Sequence, residues 1–168
     1  MNTSDIYEPH EDSFLLQQFV HRYASGKVLD MGTGSGIQAL TAAKSRKVKS
    51  VLAVDINPEA IEQLKEKIKN ILNNQNKNKK RYKKITFQQG DLFSNVSGKF
   101  DTIIFNPPYL PQDRGIEDSA LYGGKKGWEI SARFFKEASS FLQPQGKILF
   151  LFSSHTNKVK IEEIISHQ

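Results

Sequence analysis

A mostly parallel α/β sheet, doubly wound with helices on both faces, is the fold this sequence predicts. Three observations predict it. Short apolar runs alternate with amphipathic stretches of helical period along the chain. The first apolar run ends in a glycine-rich turn that leads straight into a helix-like stretch. The second and fourth runs end in Asp55 and in Asn106-Pro107-Pro108. Strands that alternate with helices need crossover connections, and these give a parallel sheet covered on both sides. Right-handed crossovers make the sheet Rossmann-like, with ligands beyond the carboxyl ends of the strands.

The elements follow in order. Residues 1–26 read as an entry segment and an N-terminal helix, and residues 27–168 as the core of the same single domain. Lys27–Met31 is a short buried strand, and Gly36–Ser45 a helix that opens out of the glycine turn. Ser50–Asp55 is a second strand. Asn57 is suited to cap the next helix, with Pro58 at its first position, where the missing N–H costs nothing. Ile61, Leu64, Ile68, Ile71 and Leu72 then fall on one stripe. Ile85–Gln89 and Phe100–Phe105 are the third and fourth strands. A Gly/Asp-rich loop runs from Leu110 to Gly127, and Ile130, Phe134, Ala138, Phe141 and Leu142 mark a helix. Pro144 and Gly146 turn the chain into a fifth strand, Lys147–Phe152, and a last helix spans Asn157–Ser166.

Composition narrows the function classes. Apolar residues make up 38% and charged residues 25% of the chain, and no apolar run approaches the roughly 20 residues that span a bilayer. The polar start has no signal-like apolar core, so a cytoplasmic protein without a membrane partner is expected. Without cysteine there is no disulfide or thiolate site, and the four histidines are scattered, so no metal is expected. A net charge of +6 and a pI near 9.4 favour an anionic partner. Much of the excess sits at Lys77, Lys79, Lys80, Arg81, Lys83 and Lys84. That stretch reads either as a solvated loop or as a patch that contacts RNA phosphates.

The first strand ends in Asp30-Met-Gly32-Thr-Gly34-Ser-Gly36. Glycines allow positive φ and close approach of a ligand, and the helix behind them offers unpaired N–H groups. A purely structural turn would read the same way. Asp55, at the end of the second strand, suits both hydroxyls of an adenosine ribose. This holds for NAD as for S-adenosylmethionine. The G-x-G-x-G spacing differs from the dinucleotide G-x-G-x-x-G. Asp30 would also repel a pyrophosphate and attract a ligand that carries an ammonium and a sulfonium. In Gly90-Asp91-Leu92, Asp91 is placed to receive the adenine amine and Leu92 to pack on the ring; the plain alternative is a turn residue.

Phe105-Asn106-Pro107-Pro108-Tyr109 is the candidate chemical site. Consecutive prolines fix φ and remove two backbone donors. The carbonyls of Asn106 and Pro107 and the Asn106 side-chain oxygen then become acceptors for the two hydrogens of an –NH2 group. Tyr109 offers a ring face to a planar acceptor. Such a grip orients the lone pair of a poorly nucleophilic nitrogen for in-line displacement, with positioning and electrostatics in place of a strong base. A tight turn after a strand is the structural alternative.

These motifs, taken in order, resemble a class I S-adenosylmethionine-dependent N-methyltransferase: the glycine turn, Asp55-Ile56-Asn57-Pro58, Gly90-Asp91-Leu92 and Asn106-Pro107-Pro108-Tyr109. Two stretches narrow the resemblance. Ile6-Tyr7-Glu8-Pro9-His10-Glu11-Asp12-Ser13-Phe14-Leu15-Leu16 is similar to the entry segment of HemK-type protein glutamine methyltransferases, in their compact archaeal and eukaryotic branch. Gly123-Gly124-Lys125-Lys126-Gly127-Trp128-Glu129 is similar to that branch's substrate loop, with Trp128 in place of the usual Arg or Lys. The resemblance implies methylation of the glutamine amide in the GGQ motif of class I translation release factors, with S-adenosylhomocysteine as product. It also implies a small zinc-ribbon activator subunit. By position it assigns Ser13, Asp30, Gly32, Gly34, Gly36, Asp55, Ile56, Asp91, Leu92 and Asn106 to the cofactor. Asn106, Pro107, Pro108 and Tyr109 fall to the amide, and Gly123, Gly124 and Gly127 to the substrate loop. Glu8 and Asp12 lie close to the cofactor in this reading, or simply cap the first helix. The family has seven strands where five are visible, so a missing C-terminal hairpin is expected. The same site leaves room for an adenine or guanine N-methyltransferase acting on RNA or DNA, and for a catalytically silent binding subunit. An NAD-dependent enzyme would leave the proline-rich site unexplained.

Overall fold

The computed structural model describes residues 8–74, 79–111, 123–153 and 158–166. Tyr7, Lys77, Asn157, two of the histidines and most of the loop between Leu110 and Gly127 lie outside the described residues. Among the described residues, five parallel strands form one sheet: β1 (Gly26–Met31), β2 (Val48–Asp55), β3 (Ile85–Gln89), β4 (Phe100–Phe105) and β5 (Leu142–Phe150). Their order is β3-β2-β1-β4-β5. From β1 the chain winds outward through β2 and β3, then returns to the other side of β1 with β4. The reversal leaves a crevice at the carboxyl ends of β1 and β4, where doubly wound sheets bind ligands.

Among the described residues the sheet is accompanied by the α-helices α1 (Glu11–Tyr23), α2 (Ile37–Lys44), α3 (Pro58–Asn73), α4 (Glu129–Ala138) and α5 (Lys158–Ser166). Side chains alternate across the pleat. Val28, Val51, Ala53 and Ile104 pack with Leu16 and Val20 of α1, Ala39, Ala42 and Ala43 of α2, and Leu64 and Ile68 of α3. Leu29, Met31, Ile103 and Phe105 face the opposite side, towards Phe134, Phe135 and Ala138 of α4. That face is aromatic. Phe134 is fully buried, with its ring centroid 4.6 Å from Phe105, 5.4 Å from Phe93 and 5.1 Å from Phe135. Burial of one such ring contributes about 3 kcal/mol. The Phe105 ring thereby anchors the residue before Asn106.

Asn57 caps α3 as its sequence position predicts, its side-chain oxygen accepting the Glu59 N–H at 2.9 Å. Two elements differ from expectation. The α4 helix stops at Ala138, a 3₁₀ turn covers Ser139–Phe141, and β5 already begins at Leu142, although Phe141 and Leu142 continue the helical period. Leu142 pairs with Phe100 and Lys147 with Thr102, so the residues around Pro144 and Gly146 bulge out of the strand instead of preceding it. The basic stretch is also more ordered than a solvated loop. Lys79–Lys84 form a 3₁₀ helix held by the buried Tyr82. Arg81 donates to the Lys44 carbonyl, and Lys84 to the carbonyls of Ser45 and Val48. No helix among the described residues is long and apolar enough to cross a membrane.

Candidate active site

The turn after β1 runs through left-handed conformations at Gly32, Gly34 and Gly36. Gly34 presents its N–H to Asp55 Oδ2 at 2.8 Å, which ties the turn to the end of β2. The other Asp55 oxygen accepts the Asn57 N–H at 2.9 Å. Asp30 is 2% exposed, and its Oδ2 accepts Thr33 Oγ1 at 2.6 Å and the Ala39 N–H at 2.9 Å. Burial pushes the Asp30 carboxyl up to about 7, against the pull of those two hydrogen bonds, and the neighbouring Asp55 adds to the rise. Burial also raises Asp55, opposed by its backbone N–H partners. Two buried carboxylates at the mouth of a sheet, neither matched by a cation of the chain among the described residues, suit a positively charged ligand rich in donors.

On the far side of the crevice, Leu92 adopts φ 48° and is buried. A non-glycine residue held in this region is a strained feature of the kind found where a ligand must be met. Asp91 Oδ2 is 2.7 Å from an Arg133 nitrogen, with both side chains about half exposed. Ile56 is 62% exposed, an apolar side chain open at the rim.

Asn106 stands where β4 ends. Its Nδ2 donates to Asp12 Oδ2 at 3.1 Å and lies 3.5 Å from Ser13 Oγ. Its Oδ1 is buried and has no hydrogen-bond partner. Tyr109 is hydrogen-bonded to Asp12 as well; burial raises its hydroxyl first, and the carboxylate adds to that. The entry segment is held down by two glutamines. Gln38 of α2 donates to the Ser13 carbonyl at 2.9 Å, and Gln17 of α1 to Thr41 Oγ1 at 2.9 Å.

One cavity of about 290 Å³ gathers nearly all the expected residues: Ser13, Asp30, Gly32, Gly34, Asp55, Ile56, Asp91, Leu92, Asn106, Pro107, Pro108 and Tyr109. Gly36 is not among them. It caps α2, and a Cβ there would meet Leu64 Cδ1 at 2.2 Å, so the packing of α3 requires a glycine at this position. Gly123, Gly124 and Gly127 do not line the cavity either; Gly123 and Gly127 back it. Gly123 donates to the Leu110 carbonyl at 2.9 Å, and a Cβ on it would strike the Pro108 carbonyl oxygen at 2.5 Å. A Cβ on Gly127 would come within 2.6 Å of the Tyr109 carbonyl oxygen. Glu8 is exposed and outside the cavity, whereas Asp12 lines it. Arg133 and Gln38 line it too and were not foreseen. The one local signal for Gln38 is a glutamine among the apolar residues that open α2.

The model of the methyltransferase small domain matches residues 11–167. The chain belongs to that methyltransferase family. Its relatives are HemK-type protein glutamine methyltransferases. It is 42% identical over 159 residues to "Putative protein N5-glutamine methyltransferase MJ0928" of Methanocaldococcus jannaschii, a match that covers 92% of this chain and 75% of that one. It is 36% identical over 131 residues to the release factor glutamine methyltransferase of Streptococcus pneumoniae, covering 72% of this chain and 43% of that protein. The chain thus spans less than half of the bacterial relative. Among solved structures, the ribosomal protein L11 methylase of Lactobacillus delbrueckii superposes with a TM-score of 0.63 at 24% identity, over 98% of this methyltransferase and 80% of that chain. That likeness supports the class I methyltransferase fold.

Proposed function

We propose that this methyltransferase transfers a methyl group from S-adenosylmethionine to the side-chain amide of the glutamine in the GGQ motif of a class I translation release factor. The observation that carries the reading is the Asn106 side chain. Its amide nitrogen is committed to Asp12, and its buried oxygen has no partner, in the cavity that also holds Asp30 and Asp55. A buried acceptor without a donor costs about 1–3 kcal/mol, which an incoming N–H recovers. The names of the sequence relatives support the acceptor.

The residues present fit the cofactor. Asp55, already fixed by two backbone N–H groups, has lone pairs left for ribose hydroxyls. Asp30 is a buried carboxylate suited to the α-ammonium. Leu92 and Ile56 would enclose the adenine, and Asp91 would accept its amine once the Arg133 pairing opens. When bound, the cofactor supplies an electrophilic methyl group on a sulfonium. Asn106 Oδ1 and the Pro107 carbonyl would hold the two amide hydrogens, so that the nitrogen lone pair faces the methyl. The Tyr109 ring would cover the plane of the amide. Fixing both partners in a near-attack geometry would supply the rate without a strong base acting first; the new C–N bond would replace the methyl–sulfur bond, leave S-adenosylhomocysteine and release one amide proton to water.

The test is methyl transfer from labelled S-adenosylmethionine to a purified release factor. A Gln-to-Asn variant of its GGQ motif and bulk RNA serve as comparisons, with and without a zinc-ribbon partner subunit. Label on the unaltered factor alone is expected. Label on RNA alone would replace this reading with a nucleobase methyltransferase. Asn106→Ala should abolish turnover while cofactor affinity, measured by calorimetry, stays within about threefold, because Asn106 grips the acceptor and not the ribose.

A further inference from the structure

We propose that Asp12 is a positioning residue that locks the Asn106 amide with its oxygen towards the cavity, and so makes the site select an amide over a carboxylate. The inference rests on the glutamine reading above. An asparagine amide has two nearly isosteric orientations, which exchange a two-hydrogen donor for an acceptor. What stands beside it decides which one is presented to a substrate. Here the neighbour is an acidic side chain. Asn106 Nδ2 lies 3.1 Å from Asp12 Oδ2. Turned over, the amide would set its own oxygen against that carboxylate, acceptor against acceptor. The observed orientation replaces that repulsion with a charge-assisted hydrogen bond.

Asp12 is itself fixed. Its Oδ1 accepts the Ser13 N–H at 2.6 Å, and α1 is fastened to α2 through Gln38 and Gln17. Asp12 also hydrogen-bonds Tyr109. One carboxylate from the first turn of α1 thus reaches both ends of the Asn106-Pro107-Pro108-Tyr109 segment. The consequence for recognition lies in Asn106 Oδ1, buried and without a partner. A glutamine amide brings it an N–H. A glutamate, identical in shape, brings only lone pairs and a negative charge, which Asp12 also opposes. A residue that merely capped α1 would affect stability, and it would leave this choice unchanged.

The experiment compares the unaltered enzyme with Asp12→Asn and Asp12→Ala, using a release factor with its natural GGQ and a Gln-to-Glu version, GGE, as a competitive inhibitor. Asp12→Asn keeps the shape and can still accept from Ser13 N–H. It pairs with either orientation of Asn106, so the lock is lost. The unaltered enzyme should bind GGQ at least about tenfold more tightly than GGE, the scale on which a site with an unpaired buried polar group rejects the wrong isostere. In Asp12→Asn that preference should collapse towards unity and kcat should fall on the order of 100-fold, as expected for a misplaced acceptor. Cofactor affinity should hold within about threefold in both variants, which also shows that they fold. Asp12→Asn that keeps the preference and the kcat would overturn the positioning role. Loss of cofactor binding in both variants would assign Asp12 to the fold or the cofactor and likewise overturn it. An unaltered enzyme that methylates no release factor would sink the glutamine reading, and one that methylates GGQ yet binds GGE equally well would sink the selection alone.

Discussion

Asp55 serves the backbone with both of its oxygens at the edge of the cavity. Gly34 N–H and Asn57 N–H hold it in place, so a ribose bound there as proposed would meet a carboxylate that needs no reordering. Asp55→Ala should weaken S-adenosylmethionine binding by about 1–3 kcal/mol, the range for lost hydrogen bonds to a charged group. Calorimetry checks this, and unchanged affinity would remove Asp55 from the site. Residues of this kind were legible in the sequence because their position, last in a strand and next to a turn, is a local property. Others were not. Arg133 reaches Asp91 from α4, and Gln38 reaches Ser13 from α2. Those pairings exist only once the sheet has brought distant segments together, and no spacing announces them. Gly36 shows the same limit. Its positive φ is a local fact, but whether the space beside it belongs to a ligand or to Leu64 is decided by α3.

The strands were legible because their apolar runs are short and bounded: β3 and β4 have the expected ends, and Asn57-Pro58 marks the start of α3. The passage into β5 was not, because Phe141 and Leu142 satisfy the helical period, while in the fold Phe141 stacks on Phe93 at 4.6 Å from a 3₁₀ turn and Leu142 pairs with Phe100 in the sheet. The basic stretch divides in the same way. Read by charge, Lys79 to Lys84 is uniform; in the fold, Lys84 is partly buried and ties two carbonyls that end α2 and begin β2, at 2.9 and 2.8 Å. Burial lowers its ammonium, with the nearby Arg81 adding to the effect. Lys84→Met should therefore cost about 1–3 kcal/mol of unfolding free energy. Neutralising the exposed Lys80 and Lys83 should change it by less than about 0.5 kcal/mol. Urea denaturation of the two variants separates these roles, and equal effects would return the whole stretch to the status of solvated charge. Lys80 and Lys83 are the exposed members of the helix.

At the scale of the whole molecule, a ligand site is maintained at the expense of stability, and pH exposes the conflict. The Asp30 carboxyl titrates at about 7 in the fold against 3.8 in a solvated chain. Below 3.8 both the folded and the unfolded chain hold the proton. As pH rises past that value the unfolded chain releases it and the folded chain keeps it, so this group's contribution to stability falls steadily until about pH 7 and then levels. The slope is on the order of 1 kcal/mol per pH unit. Asp55, raised by the same burial, acts in the same direction. Asp30→Asn carries no such charge and can still accept from Thr33 and Ala39. It should gain on the unaltered protein as pH increases from 5 to 7, with a constant advantage above about 7, as read by urea denaturation at each pH. Cofactor binding should run the opposite way. A cation on Asp30 needs the carboxylate, so affinity should rise up to tenfold per pH unit towards about 7 and then flatten. Binding at pH 6 should release a proton, measurable by calorimetry in buffers of different ionisation enthalpy. S-adenosylhomocysteine separates the two cations of the ligand, since it keeps the ammonium and lacks the sulfonium. The same pH dependence with both ligands would assign Asp30 to the ammonium, dependence with S-adenosylmethionine alone would assign it to the sulfonium, and affinity independent of pH with either would remove Asp30 from the binding of charge altogether.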